Sequence, residues 1–317
     1  MQERCLTLMT GKMLHTYAGE AVNWECDELG HLNMRHYMTK VHQARQFFFI
    51  HLGLKNSFRA DADSTVRVSD FTIRYLKESR PGARLRIETG LLSLGDTQAE
   101  LVHIMTHFDG SVSAAITETV NHIYLRTGKQ FAWPSRLRAA ALKKIVERPA
   151  VTLPRGLQKE RVTPLAPTKS DLVKHGAAQI GAGVFQPAEI DVFSTVTMQA
   201  LLGRITESVG NFHTLWPEIH DGLYSGGSTG GALLELRCHI HNRATAGEAV
   251  EVYSAVQGAN PYTRQAAHHM VDPVSGESWA SMTASGCLFD VETRKLVKTT
   301  ENQIERLNAL VIEPLRA

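Results

Sequence analysis

The sequence predicts an α+β protein in which one arrangement occurs twice, a long amphipathic helix followed by a run of antiparallel strands. Three observations carry this reading. The chain has 317 residues, too many for a comfortable single domain. The stretch 132–168 holds Pro134, Pro149, Pro154, Pro164 and Pro167 around a basic segment, Arg136 to Lys144, and so reads as a linker. On either side of it the same order of apolar patterns recurs.

In the first half the helix opens after Asn33, whose side-chain oxygen can accept a free amide of the first turn. Met34, Tyr37, Met38, Val41, Phe48 and Leu52 then keep helical spacing until Gly53 stops it. In the second half Thr195 fits the cap position, and Leu201, Leu202, Ile205, Val209 and Phe212 form the apolar face, which sets the helices 162 residues apart. The strands that follow correspond as well. Phe71 to Leu76 matches Leu236 to His241, and Leu85 to Glu88 matches Val250 to Tyr253, at an offset of 165. The stretches around His103 and His268 and the closing strands, Ala114 to Leu125 and Ala280 to Asp290, complete the repeat. Leu137 to Lys144 reads as a short surface helix inside the linker. The expected division is residues 1–131, a linker at 132–168, and residues 169–317 with a C-terminal helix. One helix beside several antiparallel strands is buried only if the sheet wraps around it, and edge pairing of two copies would give one continuous sheet.

Composition narrows the function. With a net charge of +2 and no basic run interleaved with aromatics, no nucleic-acid footprint is visible, although a mild basic excess suits an anionic small molecule. Cys5, Cys26, Cys238 and Cys287 are scattered without a CxxC pair, which points to reduced thiols in the cytoplasm. The charged opening Met1 to Arg4 argues against a signal peptide, and Phe47 to Ile50, the longest apolar run, is too short to span a membrane. Fifteen histidines form no HExxH-like array, so no metal is expected. The run Ser225 to Gly231 lacks the Lys-Ser/Thr ending of a phosphate loop and reads as a surface loop. Phe47, Phe48 and Phe49 are expected to pack between helix and sheet.

The chemistry-bearing segment is Val22-Asn23-Trp24-Glu25-Cys26-Asp27-Glu28-Leu29-Gly30-His31-Leu32-Asn33-Met34-Arg35-His36-Tyr37. Taken alone, Asp27 would be an ordinary turn acid. Its loop, however, runs through Gly30 into a capped helix start, where free amides and a partial positive charge can stabilise an oxyanion. A carboxylate and an amide pole facing one carbonyl is the equipment of acyl transfer.

This segment resembles the loop-and-helix signature of hotdog-fold thioesterases of the 4-hydroxybenzoyl-CoA thioesterase-like group. Asp27, Gly30, His31, Asn33 and Tyr37 fall on the pattern, and Gly82 matches a later position. The resemblance covers residues 13–128 well and 170–295 in outline. It implies a tandem hotdog, two antiparallel sheets each wrapped around a central helix, acting on an acyl-CoA or acyl-carrier-protein thioester without a cofactor. Asp27 becomes the nucleophile or general base, and the backbone amide of Met34 polarises the carbonyl. His31 either orients Asp27 or touches substrate, Asn33 caps the helix, and Gly30 and Tyr37 join Met34 in substrate binding. A hotdog enoyl-CoA hydratase or dehydratase is an alternative, but its Asp-x-Asn-Pro-x-His pattern spaces Asp and His by five with a Pro between. Asp27 and His31 are four apart with none. A non-catalytic acyl-CoA-binding module is the other alternative. Either a monomer or a homodimer fits a fused pair, because fusion already satisfies the strand edges.

At the offset of 162, Glu189 stands against Asp27, Val192 against Gly30, Phe193 against His31 and Thr195 against Asn33, with Asp191 nearby. On this alignment the second loop has lost its own site and walls the first pocket. The competing expectation is that Glu189 and Asp191 serve a different pocket.

Overall fold

The computed structural model describes residues 12–157, 165–213, 216 and 229–315. The first half runs β1 (Leu14–Glu20), α1 (Met34–His51), β2 (Ser64–Tyr75), β3 (Arg84–Leu94), β4 (Gln98–His107) and β5 (Val112–Tyr124). After α2 (Ser135–Leu142) and α3 (Lys169–Lys174), the second half repeats the order. It runs β6 (Ala178–Val184), α4 (Met198–His213), β7 (Thr229–Ile240), β8 (Ala249–Ala259), β9 (Arg264–Val271) and β10 (Ser278–Asp290), and α5 (Glu301–Asn308) follows.

The described strands form one antiparallel sheet in the order β1-β3-β4-β5-β2-β7-β10-β9-β8-β6, which reads alike outward from its centre. This corrects the expectation of two separate sheets. Asp70 to Arg74 of β2 pair with His239 to Glu235 of β7, so the inner edge of each half satisfies the other's backbone groups. The expected helices and strands are present, except that α4 starts at Met198 and not directly after Thr195. The main apolar core likewise runs through both halves as one connected cluster, with a smaller one around Leu172, Tyr253 and Val271, and the two long helices touch. Arg35 lies against Gly203, where an added Cβ would sit 2.8 Å from the guanidinium, and its Nη1 is 3.6 Å from Glu207 Oε1.

On α1 the buried stripe is Tyr37, Met38, Val41, Ala44, Phe48 and Phe49. Phe47 is 51% exposed, because the helical period turns it away from the sheet, contrary to its expected burial. The equivalent stripe on α4 includes Leu201, Leu202, Ile205 and Phe212.

The Pro-marked segment is docked along much of its length. Trp133 is buried and stacks on Phe49 and His122, with centroids 5.4 and 4.9 Å away, and Leu137 and Ala141 of α2 enter the core. Further on, the buried carboxylate of Glu235 accepts hydrogen bonds from Arg74 Nε at 3.1 Å and from the amides of Arg155, Gly156 and Leu157. Gly156 packs closely here, since a Cβ would fall 2.6 Å from Ser285 Oγ and force that side chain to move. Pro164, Cys5 and the glycine-rich positions 225–228 lie outside the described residues. No described helix is long and apolar enough to cross a membrane.

Candidate active site

The loop from β1 to α1 is closed by its own backbone. Asp27 N donates to His31 O at 2.9 Å, Gly30 N to Asp27 O at 3.0 Å, and Asn33 N to Glu25 O at 2.9 Å. Gly30 holds φ at +73° with open space around its missing Cβ. Glycine therefore suits the left-handed backbone of this turn. Leu32 N reaches Ser79 O at 2.7 Å, and a largely buried ion pair, Lys40 to Glu25 at 2.6 Å, ties the loop to α1.

Asn33 caps α1 as expected, its Oδ1 accepting from Arg35 N at 3.1 Å. Asp27 Oδ1 accepts from Leu29 N at 3.0 Å and from His31 N at 3.2 Å. Among the described residues nothing bonds to the second oxygen of Asp27, Oδ2, or takes the N–H of Met34 at the helix start. The arrangement thus leaves a fixed carboxylate with one open oxygen and, in the same loop-to-helix junction, a free amide at a positive helix pole.

His31 braces Asp27 through its backbone. Its ring points elsewhere, with Nε2 3.1 Å from Glu78 Oε2, and the other Glu78 oxygen meets Arg294 of the second half. Tyr37 is buried behind the loop with its hydroxyl on Ser79 and Ser113 and its ring edge-on to Tyr75 at 5.0 Å, so it props the loop from inside. Cys26 is no competing nucleophile, because burial and then the charges of Asp27 and Glu25 push its thiol up.

The second loop repeats the first, at an offset of 164 and not 162. Asp191 N donates to Thr195 O, Ser194 N to Asp191 O, and Thr197 N to Glu189 O, at 2.8 to 3.0 Å. The Arg204–Glu189 ion pair at 2.6 Å stands where Lys40 and Glu25 pair in the first half. Asp27 therefore corresponds to Asp191, Gly30 to Ser194 (φ +59°), His31 to Thr195 and Asn33 to Thr197, whose Oγ1 accepts from Ala200 N at 3.3 Å. The expected pairings of Asp27 with Glu189 and of Asn33 with Thr195 are corrected accordingly.

Asp191 differs from Asp27 in its surroundings. Its Oδ1 takes the amides of Phe193 and Thr195, and its Oδ2 accepts from Thr195 Oγ1 at 3.1 Å. It also faces cations. Burial lowers both Arg67 and Arg243, Arg243 to about 10, and the charge of Asp191 opposes the shift in each.

A charged network that no local spacing announced lies behind α1. Glu118 and His103 are fully buried, and Arg45 is 2% exposed. Arg45 Nη1 donates to Glu118 Oε1 at 2.6 Å, His103 Nε2 lies 3.1 Å from Glu118 Oε2, and Arg45 Nη2 donates to His42 Nδ1 at 2.7 Å. Burial alone would push Glu118 up, but Arg45 and His103 together hold it well below the usual carboxylate range. Among the described residues no group of three or more His, Cys, Asp or Glu is placed to hold a metal ion.

Residues 22–141, which contain the Asp27 loop and α1, match the thioesterase-like superfamily. The chain is 32% identical over 114 residues to the L-carnitine dehydrogenase/betainyl-CoA thioesterase of Agrobacterium fabrum, covering 36% of this chain. The match spans only 23% of that relative's length. Among solved structures, the chain is similar to a proposed oleoyl thioesterase from Lactobacillus plantarum, with a TM-score of 0.65 and 14% identity over 88% of this chain and 98% of that one. The acyl-ACP thioesterase of Bacteroides thetaiotaomicron gives 0.63 and 12% identity over 86% and 97%. At such identities the likeness establishes the shared hotdog fold, helices cradled by a broad antiparallel sheet.

Proposed function

We propose that this protein hydrolyses an acyl thioester of CoA or of an acyl carrier protein, with Asp27 as the reacting acid. The observation that carries the reading is the open Oδ2 of Asp27 in the loop that delivers a free Met34 N–H at the start of α1. Asp27 either attacks the carbonyl carbon or takes a proton from a water that does. The Met34 amide then donates to the oxygen on which charge develops, and the thiolate leaves; where Asp27 itself attacks, water then cleaves the acyl-aspartyl anhydride, releasing the acid and restoring Asp27. The superfamily match over this very segment supports the reaction class, as does the naming of the relatives as thioesterases of betainyl-CoA and of acyl-carrier-protein esters.

In the same reading the chain is two fused hotdog units, 1–131 and 169–317, joined through 132–168 and acting in the cytoplasm as a monomer or homodimer. The matching element order and the outward symmetry of the sheet support the fusion. The second loop is structural, because Thr195 and the neighbouring arginines occupy Asp191.

The test is incubation with a panel of acyl-CoA and acyl-carrier-protein esters in the presence of a thiol reagent. Release of free thiol is the expected result. A modified acyl chain without free thiol would instead mean hydration, and tight binding without turnover would mean a binding module.

A further inference from the structure

The turn after β10 repeats the turn after β5. Arg294 N donates to Asp290 O at 2.8 Å, as Gly128 N does to Tyr124 O at 2.9 Å, and both residues adopt a left-handed backbone, at φ +59° and +69°. Glycine enters that region freely, whereas arginine is strained there. A side chain has thus been placed where the repeated turn is best served by none, and local strain of this kind is retained where it does a job. The guanidinium lies over the Phe289 ring, 4.5 Å from its centroid, and reaches across to Glu78 of the first half. Glu78 in turn holds His31 Nε2 at 3.1 Å, one step from the backbone that grips Asp27. Arg294 and Glu78 are 34% and 45% exposed, so their pairing contributes little to stability and does not explain the strain.

We propose that Arg294 is a positioning residue lent by the second half to the Asp27 loop. It fixes Glu78, which accepts from the Nε2–H of His31 and leaves Nδ1 as the acceptor of that ring. This inference rests on the proposed hydrolysis at Asp27 for its catalytic consequence, but not for its structural one.

The test uses the full chain with Arg294→Gly, Arg294→Lys and Glu78→Gln. Arg294→Gly removes the strain while freeing the unfolded chain, so its melting temperature should stay within about 3 °C of the parent. Its turnover should fall by about tenfold, as expected of a loop held less well in place, and Arg294→Lys should recover part of the loss. Nitrogen-15 NMR of the His31 ring, recorded without substrate, should show the Nε2–H tautomer in the parent and a mixture in Arg294→Gly and Glu78→Gln. An unchanged tautomer in both variants overturns the proposal. So does a melting temperature that falls steeply in Arg294→Gly, which would make the contact a structural tie. A parent with no hydrolytic activity but with the tautomer shift would overturn the hydrolase reading and leave the positioning role standing.

Discussion

Thr195 donates its hydroxyl to Asp191 Oδ2 at 3.1 Å, closing in the second loop the one carboxylate oxygen that Asp27 keeps open in the first. The two acids share a backbone setting and differ in what is left for a substrate. Asp27→Asn should therefore reduce thioester turnover by roughly a hundredfold or more while leaving the fold intact, since Asn keeps the shape but neither attacks nor takes a proton. Asp191→Asn and Glu189→Gln should each stay within a few fold of the parent. Steady-state kinetics on one responsive ester separates the cases, and a collapse of turnover on changing Asp191 would move the chemistry to the second half.

The offset of 164 residues makes a separate claim about helix caps. Asn33→Ala and Thr197→Ala should each destabilise the protein by about 1 kcal/mol, because each strips an acceptor from a first-turn amide. Asn33→Ser should recover most of the loss. Urea denaturation reads both, and a Thr197→Ala variant as stable as the parent would contradict the assigned cap.

Glu118 and Arg45 are a buried pair whose removal should be asymmetric. Glu118→Ala leaves Arg45 charged and unpaired in the core, which should cost roughly 3–5 kcal/mol. Replacing both at once, Arg45→Met with Glu118→Leu, should cost less than Glu118→Ala alone. A double variant whose loss equals the sum of the single losses would rule out the coupling.

Acid should weaken the fold from near pH 6.5 downward. His42, His241 and His269 are each lowered to about 4, by burial first, then by Arg45, His239 and His241 respectively. In the unfolded chain they protonate near pH 6.5, so between about pH 6.5 and 4 the unfolded state binds more protons. Their contribution is complete above that window and is lost as pH falls through it. Both ring nitrogens of His269 are buried without a hydrogen-bond partner among the described residues, so His269→Phe should flatten the decline. Thermal melts across pH 4–7 test this, and a variant with the parent's slope would count against it.

What the sequence made legible was local. The bonds that hold the Asp27 carboxylate lie within four residues of it, and α1 begins at Met34, where Asn33 announced it. The second helix was misaligned because Thr195 and Thr197 are both good caps two positions apart. The apolar faces themselves pair cleanly at the observed offset, Met34 with Met198, Tyr37 with Leu201, Met38 with Leu202, Val41 with Ile205 and Phe48 with Phe212. Glu118 was out of reach, since its partners stand 15 and 73 residues away and no periodicity marks one acid in a buried strand. Arg294 was hidden for a different reason: one letter in a turn does not disclose a positive φ.

The seam between β2 and β7 has a genetic consequence. In a symmetric pair of identical chains every substitution appears at two places, so a change that helps one site is imposed on the other. Covalent continuity lifts that rule. Position 128 keeps its unstrained glycine while position 294 carries arginine, and Asp27 stays open while Asp191 is tied down. On the proposed reading, one loop is thereby free to specialise in reactivity and its twin in holding the structure still.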